Sequence, residues 1–596
     1  MKKRLVLNTF LLSFFLFFQI TIQSQSVDEI KSQPKMYIWG QGSGITLNEA
    51  DNYALRFLIG QISTHVESKF RQRTEWGAGK EFDEKVEMVI NTYSSATLQQ
   101  TERIVIQNEP DALVFRYIKR EDIAKVFEKR KKKALEFVWS AQKSKEYLQI
   151  ADALKYYYWA FNLLKSHPDF DEIYYTDEKG KKHLLSVWIP VQMNNIFSKI
   201  KFSVKKLKNQ ENELDIVLSI KYNSKPVTNL DYSYWTGRDW SNIISAKDGI
   251  GFMEFYGASA KNIESIKLKI EYLFTGEALI DKELESVMTQ IKPVPFRQSY
   301  FKLEINQTET NQVIKKEEKN VAGFNKINNP LEYKHILDNV VKAIRTKQYS
   351  GVEKYFTADA YSSFISLVQY GNARILIEPD WKAAKLNNSV IFKAVKMSFS
   401  FKNNKKFVED VVFSFNEKKQ IESVSFALSQ KAEKSIMEKD VWSEQNRLQI
   451  ISFMEDYKTA YALKKLEYIE SIFADDALII VGRYVLVKNP ENRFINNKVV
   501  QYNRYSKATY IKRLGRSFKS NEFINLKFEE SSIRKGAKGN IYGIQIKQSY
   551  FSTNYGDVGY LFLMVDLNKP EMPVIHIRTW QPEKDGNGEI YGLKDF

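Results

Sequence analysis

The segment Met36–Phe70 reads MYIWGQGSGITLNEADNYALRFLIGQISTHVESKF, and its pattern decides the fold of the N-terminal domain. Met36–Trp39 predicts a short strand, and the glycine-rich run Gly40–Gly44 predicts a tight connection into a helix. Thr46 and Glu49 have the spacing of a capping box, which starts a helix. Apolar residues then recur at helical spacing and predict one broad face that needs a sheet to cover it: Ala50, Tyr53, Ala54, Phe57, Leu58, Ile62, Val66 and Phe70.

The sheet for this helix is expected from two β-rich runs that follow it. Ser94–Gln107 and Ala112–Ile118 are separated by Asn108–Asp111, whose composition is typical of a turn. This pattern predicts a hairpin. The helix and the hairpin together predict a compact α+β sandwich within residues 26–120.

Short motifs spread over this domain carry a family resemblance. They are Trp39-Gly40, Thr46, Glu49-Ala50-Asp51-Asn52, Ala54-Leu55, Gln61-Ile62-Ser63, Val66-Glu67-Ser68, Arg116-Tyr117-Ile118, Phe127 and Arg130. Together they resemble the LPP-twenty lipoprotein domain of Gram-negative envelopes, over about a fifth of the chain. The resemblance implies an envelope protein whose motifs build the fold rather than a catalytic site. Members of that family often carry a lipid-anchoring cysteine, which this chain lacks.

The first 25 residues have the composition of a secretory signal peptide. Lys2, Lys3 and Arg4 precede an apolar run, Leu5–Phe18, and small and polar residues follow it near Ser24. The run is shorter than the ~20 residues that a membrane-spanning helix needs. We therefore expect residues 1–25 to be removed and the mature chain to be periplasmic or secreted, without a membrane span.

Length and composition predict several globular domains. The 596 residues exceed what one core can organise, and the 43% of hydrophobic residues is enough to build several cores. The absence of cysteine excludes disulfides, thiolate metal sites, a cysteine nucleophile and an acylated cysteine anchor.

The chain is strongly basic, and this charge bears on its partners. Removing Lys2, Lys3 and Arg4 lowers the formal charge from +17 to +14. In an exported protein, envelope proteins or anionic cell-surface components are more available than nucleic acid, and the lysines are dispersed, so no nucleic-acid partner is expected. The densest cluster, Lys129–Lys133, is either a solvated helix face or a docking patch.

Three segments follow the N-terminal domain. Residues 121–195 have helical periodicity that predicts a helical hairpin ended by Pro168. Residues 196–305 carry strand and turn signals that predict an immunoglobulin-like β-sandwich. Residues 306–329 are polar and predict a linker.

The last half contains a repeat. Val352-Glu353, Tyr355-Phe356 and Asp359-Ala360 match Ile469-Glu470, Ile472-Phe473 and Asp476-Ala477 at an offset of 117 residues. An amphipathic helix precedes each copy and long strands follow it. This pattern is similar to the cone-shaped α+β fold of the nuclear-transport-factor-two and SnoaL-like families, which implies two such domains, at 330–430 and 431–596. Related proteins use the pocket of this fold for small-molecule chemistry or for dimerisation.

Residues able to move a proton are few. His335 and His576 are the candidate acids or bases of the two repeats, and Asp475 and Asp476 are the nearby carboxylates. Surface or structural histidines explain the pattern as well as catalysis does. The spacings HxxxH, HExxH, GxSxG and GxGxxG and the P-loop are all absent, so we assign no catalytic, cofactor-binding or metal residue and expect no cofactor.

The sequence thus predicts a multidomain α+β protein: an α+β sandwich, a helical hairpin, an immunoglobulin-like β-sandwich and two cone-shaped α+β domains. We expect an exported, non-enzymatic envelope protein that acts as an interaction or scaffold module. The alternative is a small-molecule-binding protein, or an enzyme of isomerase or hydrolase type, that uses a cone-fold pocket. The partner, the biological process and the oligomeric state stay open.

Overall fold

The computed structural model describes residues 26–73, 89, 92, 101–210, 213–261, 263–278, 281–305, 331–379, 381–386, 388–401, 406–438, 443–489, 492–536, 539–553, 556–569, 572–584 and 589–596. The predicted signal peptide (1–25) and linker (306–329) lie outside these residues. The chain divides into a small unit, Met1–Lys129 with Lys488–Asn496, and a large unit, Arg130–Val487 with Asn497–Phe596. Among the described helices, none is long and apolar enough to cross a bilayer.

The small unit packs a long helix on a three-stranded antiparallel sheet of order β1-β3-β2. Its elements in chain order are α1 (Val27–Ser32), β1 (Tyr37–Gly44), α2 (Leu47–Arg73), β2 (Glu102–Gln107) and β3 (Ala112–Lys119). Helix α2 lies in the segment predicted to be helical, and β2 and β3 lie within the two β-rich runs. Residues 94–100 of the first run lie outside the described residues. Tyr53 and Phe57, predicted on the packed face of α2, are instead 49% and 65% exposed.

The glycine-rich run is a strand and not the predicted turn. Gly40 and Gly42 lie within β1, opposite Arg116 and Val114 of β3. A Cβ atom on Gly42 would lie only 2.2 Å from the carbonyl oxygen of Ala50 and from the amide nitrogen of Ala54. The glycines therefore let the backbone of α2 lie directly on the strand. Glycine is needed here for close packing and not for a turn.

A buried ion pair joins α2 to the sheet. Asp51, fully buried on the helix, accepts hydrogen bonds from Arg116 Nε at 2.7 Å and Nη2 at 2.9 Å. Arg103 of β2 lies 3.5 Å from the same carboxylate. Burying a carboxylate beneath a helix is tolerated because two guanidinium groups surround it.

The large unit contains the remaining elements, and helix α3 crosses the boundary between the units. The helices are α3 (Arg120–Glu146), α4 (Ile150–Lys165), α5 (Leu185–Lys199), α6 (Thr275–Ala278), α7 (Lys282–Met288), α8 (Leu331–Thr346), α9 (Ala358–Gln369), α10 (Gln430–Met437), α11 (Glu444–Ala462), α12 (Leu466–Ser471) and α13 (Lys507–Ser520). The strands are β4 (Tyr174–Thr176), β5 (Lys182–Leu184), β6 (Ile200–Gln210), β7 (Glu213–Tyr222), β8 (Lys225–Pro226), β9 (Asn229–Tyr234), β10 (Ile244–Lys247), β11 (Ile250–Tyr256), β12 (Ser265–Ile270), β13 (Tyr300–Glu304), β14 (Arg374–Ile375), β15 (Lys382–Leu386), β16 (Ser389–Ser400), β17 (Lys406–Phe415), β18 (Ile421–Phe426), β19 (Phe473–Asn489), β20 (Asn492–Tyr505), β21 (Ile524–Lys535), β22 (Ile541–Ser552), β23 (Gly556–Asp566) and β24 (Val574–Gln581).

Helices α3 and α4 lie in the segment of the predicted helical hairpin, which also contains β4, β5 and most of α5, and the hairpin arrangement stays a prediction. The segments after it are joined by a shared sheet. Strands of residues 196–305 run in the order β13-β12-β9-β10-β11-β7-β6, and β10 also pairs in parallel with β17. Ile244 pairs with Lys406 and Ser245 with Phe407. The expected β-sandwich and the first expected cone-fold domain therefore share one 13-stranded sheet instead of forming separate domains. The immunoglobulin-like arrangement itself stays a prediction.

The two copies of the repeat begin alike and then diverge. Phe356 and Phe473 are both buried after a short helical turn, a 3-10 helix at Ser350–Tyr355 and α12 in the second copy. Asp359 then lies in α9, whereas Asp476 lies in β19. The second copy builds a six-stranded sheet of order β20-β19-β24-β23-β22-β21. The copies share a helix-then-sheet order, and their assignment to the cone fold stays a prediction.

Candidate functional site

Consecutive carboxylates on β17 form the centre of a buried charged cluster, which we call the ionic junction: Lys247, Asp248, Lys396, Glu409, Asp410 and Lys458. Glu409 accepts hydrogen bonds from Lys247 Nζ at 2.8 Å and from Lys458 Nζ at 2.9 Å. The parallel pairing of β10 with β17 brings Lys247 to this position, and α11 contributes Lys458. Although burial alone would raise the pKa of Glu409, the two ammonium groups hold it below its usual range.

Asp410 and Asp248 share a third lysine. Lys396 Nζ lies 2.7 Å from Asp410 Oδ1 and 2.8 Å from Asp248 Oδ2. Burial raises the pKa of Asp248 to about 6, and the neighbouring Asp410 adds to the rise. Asp410 is the opposite case, because Lys396 and Lys247 lower its pKa in spite of burial. Mutually compensating charges of this kind require an exact arrangement of the strands that carry them.

The ion pairs connect segments that the sequence predicted as separate domains. Lys155 of the helical hairpin pairs with Glu277 at 3.2 Å, and Lys247 of the expected sandwich pairs with Glu409 of the first repeat. Lys458, from the second repeat, reaches the same Glu409. Because removing one partner of a buried pair leaves an uncompensated charge, these contacts oppose independent motion of the segments.

A cavity of about 120 Å³ lies beside the ionic junction. It is lined by residues of α4, β9, β10, α6, β17, α11, β21 and β22, so that all four domains predicted beyond residue 120 contribute. Its apolar lining includes Phe274, Phe407, Leu428, Phe528 and Phe551. Its charged lining consists of four lysines and five acidic residues: Lys155, Lys247, Lys458, Lys527, Asp152, Asp231, Asp248, Glu277 and Glu409.

Two of these charged residues differ from the others. Lys155 pairs with Asp152 at 3.1 Å and with Glu277 at 3.2 Å. Lys527 and Asp231, by contrast, have no ion pair within 4.0 Å among the described residues. Burial opposes the charge of Lys527, but Asp231, Glu277 and Asp152 outweigh it and raise its pKa. Lys527 is therefore a cation that faces the cavity without a direct partner.

A second uncompensated cation lies in the core of the second repeat. Arg578 of β24 is 8% exposed, and its Nη1 has no hydrogen-bond partner in the part of the chain that is described. Its guanidinium lies 5.1 Å from the ring centre of Tyr510, and its Nε is 3.4 Å from the hydroxyl of Tyr457. Aromatic faces stabilise a guanidinium partly, but they supply no opposite charge.

Basic side chains also cover the outer face of α13. Tyr510, Ile511 and Phe518 anchor the buried face of this helix. Its exposed cations are Lys512, Arg513, Arg516 and Lys519, which we call the basic helix face. The first three border one surface depression with Thr509. Within the described ranges, no carboxylate lies within 4.0 Å of any of the four.

The residues predicted as acids and bases are not brought together. His335 is exposed on α8, where its Nδ1 is 2.9 Å from the side-chain nitrogen of Asn339. His576 lies 4.0 Å from Asp566 on the half-exposed surface of neighbouring strands. Asp475 is exposed and pairs with Lys507 at 2.9 Å, and Asp476 is also exposed. None of these residues lines the cavity.

The Lys129–Lys133 cluster is neither a uniformly solvated helix face nor a continuous exposed patch. Arg130 is fully buried and pairs with Glu283 at 2.6 Å, and Lys133 forms an ion pair with Asp281. Lys129 and Lys132 are exposed. Two of the five cations are therefore structural, because Arg130 and Lys133, three positions apart, lie on the same face of the helix.

Sequence reasoning missed the ionic junction and the cavity, although a signal was present. Glu409 and Asp410 interrupt the apolar run Phe407–Phe415, and Lys458 lies within the apolar pattern of α11. Charges at positions that should be buried indicate paired partners elsewhere. The identity of the partners depends on strand pairings that no local pattern reveals.

Comparisons with known proteins add little to this description. No family model and no curated protein matches the chain. Among solved structures, Bd1075 of Bdellovibrio bacteriovorus matches with a TM-score of 0.18 and 11% identity, over 31% of this chain and 50% of that one. Naphthalene 1,2-dioxygenase with indole bound in its active site matches with a TM-score of 0.19 and 8% identity, over 25% of this chain and 84% of that one. This chain spans about half the length of the first of these, and neither likeness carries a functional argument.

Proposed function

We propose that this chain is an exported, non-enzymatic protein of the cell envelope that acts as an interaction or scaffold module. The observation that carries the proposal is the basic helix face of α13, with Lys512, Arg513, Arg516 and Lys519 exposed and unpaired in the described residues. Many other cations of the large unit pair with carboxylates. A row of unpaired cations on a folded helix is what an acidic partner or an anionic envelope surface recognises.

The anchoring of this face supports a role in binding. Helix α13 is anchored by three buried side chains, so the cations are presented at defined positions. Arg513 is further oriented by the ring of Tyr505, whose centre lies 4.7 Å from the guanidinium carbon. Pre-organised charges lose less conformational entropy on binding than charges on a flexible segment.

The ionic junction supports the scaffold part of the proposal. Its ion pairs cross between segments of the large unit, and breaking any one of them leaves a buried charge. A body stabilised in this way presents its surfaces in a constant arrangement. The enzymatic alternative needs a placed acid or base, and His335 and His576 lie at exposed or half-exposed positions away from the cavity.

The test reverses charge on the basic helix face. The mature protein carrying Lys512→Glu, Arg513→Glu and Arg516→Glu is compared with the unchanged protein for sedimentation with envelope fractions at low and high salt. We expect the triple variant to bind at least tenfold less at low salt. High salt should also weaken the binding of the unchanged protein, because counterions screen charges beyond about 8 Å at physiological ionic strength.

A matched control reverses three exposed lysines elsewhere. Lys179→Glu, Lys181→Glu and Lys182→Glu change the net charge equally and should retain most of the binding. An equal loss of binding in both triple variants would mean that net charge, and not the basic helix face, determines binding. A variant with His335→Ala and His576→Ala that folds normally and loses function in a complementation assay would favour the enzymatic alternative.

A further inference from the structure

The cavity beside the ionic junction contains buried polar side chains without a protein partner. Asp231 is 6% exposed and Asn525 is 3% exposed, and both line the cavity. Their side-chain polar groups make no hydrogen bond to any described residue. Polar atoms that open into a cavity and have no protein partner are satisfied by ordered water or by a ligand.

The charges around the cavity are compensated except at two points. Glu409 is shared by Lys247 and Lys458, Asp248 pairs with Lys396, and Asp152 and Glu277 pair with Lys155. Lys527 and Asp231 are left with opposite charges and without a direct ion pair. Both line the cavity, and the carboxylate of Asp231 contributes to the raised pKa of Lys527. An aromatic ring flanks the lysine, whose Nζ is 5.9 Å from the centre of Phe551.

We infer that this cavity binds a small zwitterion of amino-acid size, with its anionic group on Lys527, its cationic group near Asp231 and its apolar part against Phe274 and Phe551. This inference goes beyond the proposed function, because the basic helix face needs no small ligand.

The charge pattern favours a zwitterion over a simple ion. A lone anion at Lys527 would leave Asp231 unpaired and would add a further negative charge to a lining of four cations and five acids. A lone cation at Asp231 would repel Lys527. A molecule with both charges satisfies both groups at once, and the amide of Asn525 can hydrogen-bond to either end.

The volume limits the size of the ligand. A cavity of about 150 Å³ is known to hold benzene, and the cavity here measures about 120 Å³. This space fits about six non-hydrogen atoms, which corresponds to alanine or a similar molecule. Peptides, nucleotides and aromatic amino acids are too large to be held wholly inside the cavity.

The test measures binding of L-alanine to the mature protein by titration calorimetry and by saturation-transfer NMR. Acetate and methylammonium each supply one of the two charges, and L-tryptophan tests the size limit. We expect saturable binding of L-alanine, at least tenfold weaker binding of acetate and methylammonium, and no binding of L-tryptophan.

Two variants test the recognising side chains. Lys527→Met keeps the apolar length of the side chain, and Asp231→Asn keeps its shape, and each should weaken L-alanine binding at least tenfold. Lys179→Met, an exposed control, should bind as the unchanged protein does. If one variant fails to fold, the other variant and the comparison of L-alanine with acetate and methylammonium still test the inference.

Three results would overturn the inference. The first is the absence of saturable L-alanine binding up to about 10 mM, which would mean that the cavity holds water only. The second is equal binding of acetate and L-alanine, which would indicate a simple anion site. The third is unchanged binding in a folded Lys527→Met variant.

Discussion

Cationic side chains in the large unit occur in two opposite surroundings. In the ionic junction, Lys247, Lys396 and Lys458 are surrounded by protein and lie within 3 Å of carboxylate oxygens. On α13, Lys512 and Arg516 are exposed and have no ion pair in the described ranges. Burying the first group costs desolvation free energy, which the paired carboxylates offset. The second group keeps its hydration and can bind a partner.

The difference separates structure from binding. A buried lysine stabilises the fold only through its carboxylate, so its effect on stability is large and its effect on partners is small. An exposed lysine has a small effect on stability and a large effect on the binding of partners. Asp456 and Arg578 are a third case, because each is an ionisable group surrounded by protein that lacks an ion pair within 4.0 Å among the described residues. Substitutions in each class test whether these groups differ in their effects on stability and binding.

The largest effect is expected for Glu409→Gln. The change leaves Lys247 and Lys458 buried without their shared carboxylate, so the free energy of unfolding should fall by about 3–5 kcal/mol. Urea denaturation of the mature protein measures it. The exposed Glu417→Gln should change stability by less than about 0.5 kcal/mol. A loss below about 1 kcal/mol for Glu409→Gln would mean that the junction contributes little.

The next effect is a pH-dependent one at Asp456. Burial raises the pKa of Asp456 to about 7, although Ser423 donates a hydrogen bond to it at 3.1 Å. A raised folded-state pKa means that the folded protein holds the proton more tightly, so this group lowers stability as the pH rises from about 4 to about 7.

Asp456→Asn removes that penalty. The variant should be more stable than the unchanged protein by about 4 kcal/mol at pH 8 and should equal it near pH 4. Denaturation curves at both pH values check the difference, and other titrating groups cancel in the comparison. A variant that is less stable at pH 8 would show that the carboxylate is charged and compensated there.

A smaller effect is expected for Arg578→Met. Methionine fills similar space without the uncompensated charge, so stability should be unchanged or rise by about 1 kcal/mol. Arg534→Met on the exposed part of β21 is the control. Thermal unfolding followed by circular dichroism measures both. Destabilisation by more than about 2 kcal/mol would reveal an opposite charge near Arg578 in the folded protein.

The smallest effect on stability is expected on α13. The triple variant Lys512→Glu, Arg513→Glu and Arg516→Glu should unfold within about 0.5 kcal/mol of the unchanged protein, because these cations have no ion pair to lose. The same denaturation assay checks this. A clear loss of stability would place the basic helix face among the structural cations and would weaken its proposed role in binding.

Local patterns predicted the elements better than their assembly. The spacing of Ala50, Leu58 and Ile62 predicted α2, and the hairpin pattern predicted β2 and β3. The run Gly40–Gly44 was misread, because glycine in a turn and glycine beneath a closely packed helix look alike in sequence. The two copies of the repeat have similar structure up to Phe356 and Phe473. The equivalent residues that follow lie in a helix in the first copy and in a strand in the second.

Composition and local pattern indicate α2, the β-rich runs of the hairpin, the lack of cysteine chemistry and the basic charge. Each of these depends on composition or on neighbours a few residues apart, where periodicity and propensity act. Which charges are buried and which are paired depends on contacts between distant parts of the chain. Lys247 and Glu409 are 162 positions apart, and they meet because β10 pairs with β17. Lys527 and Asp231 line one cavity for the same reason, because long-range packing of strands and helices places each charge. The surroundings of each charge then determine whether it stabilises the fold or faces a ligand.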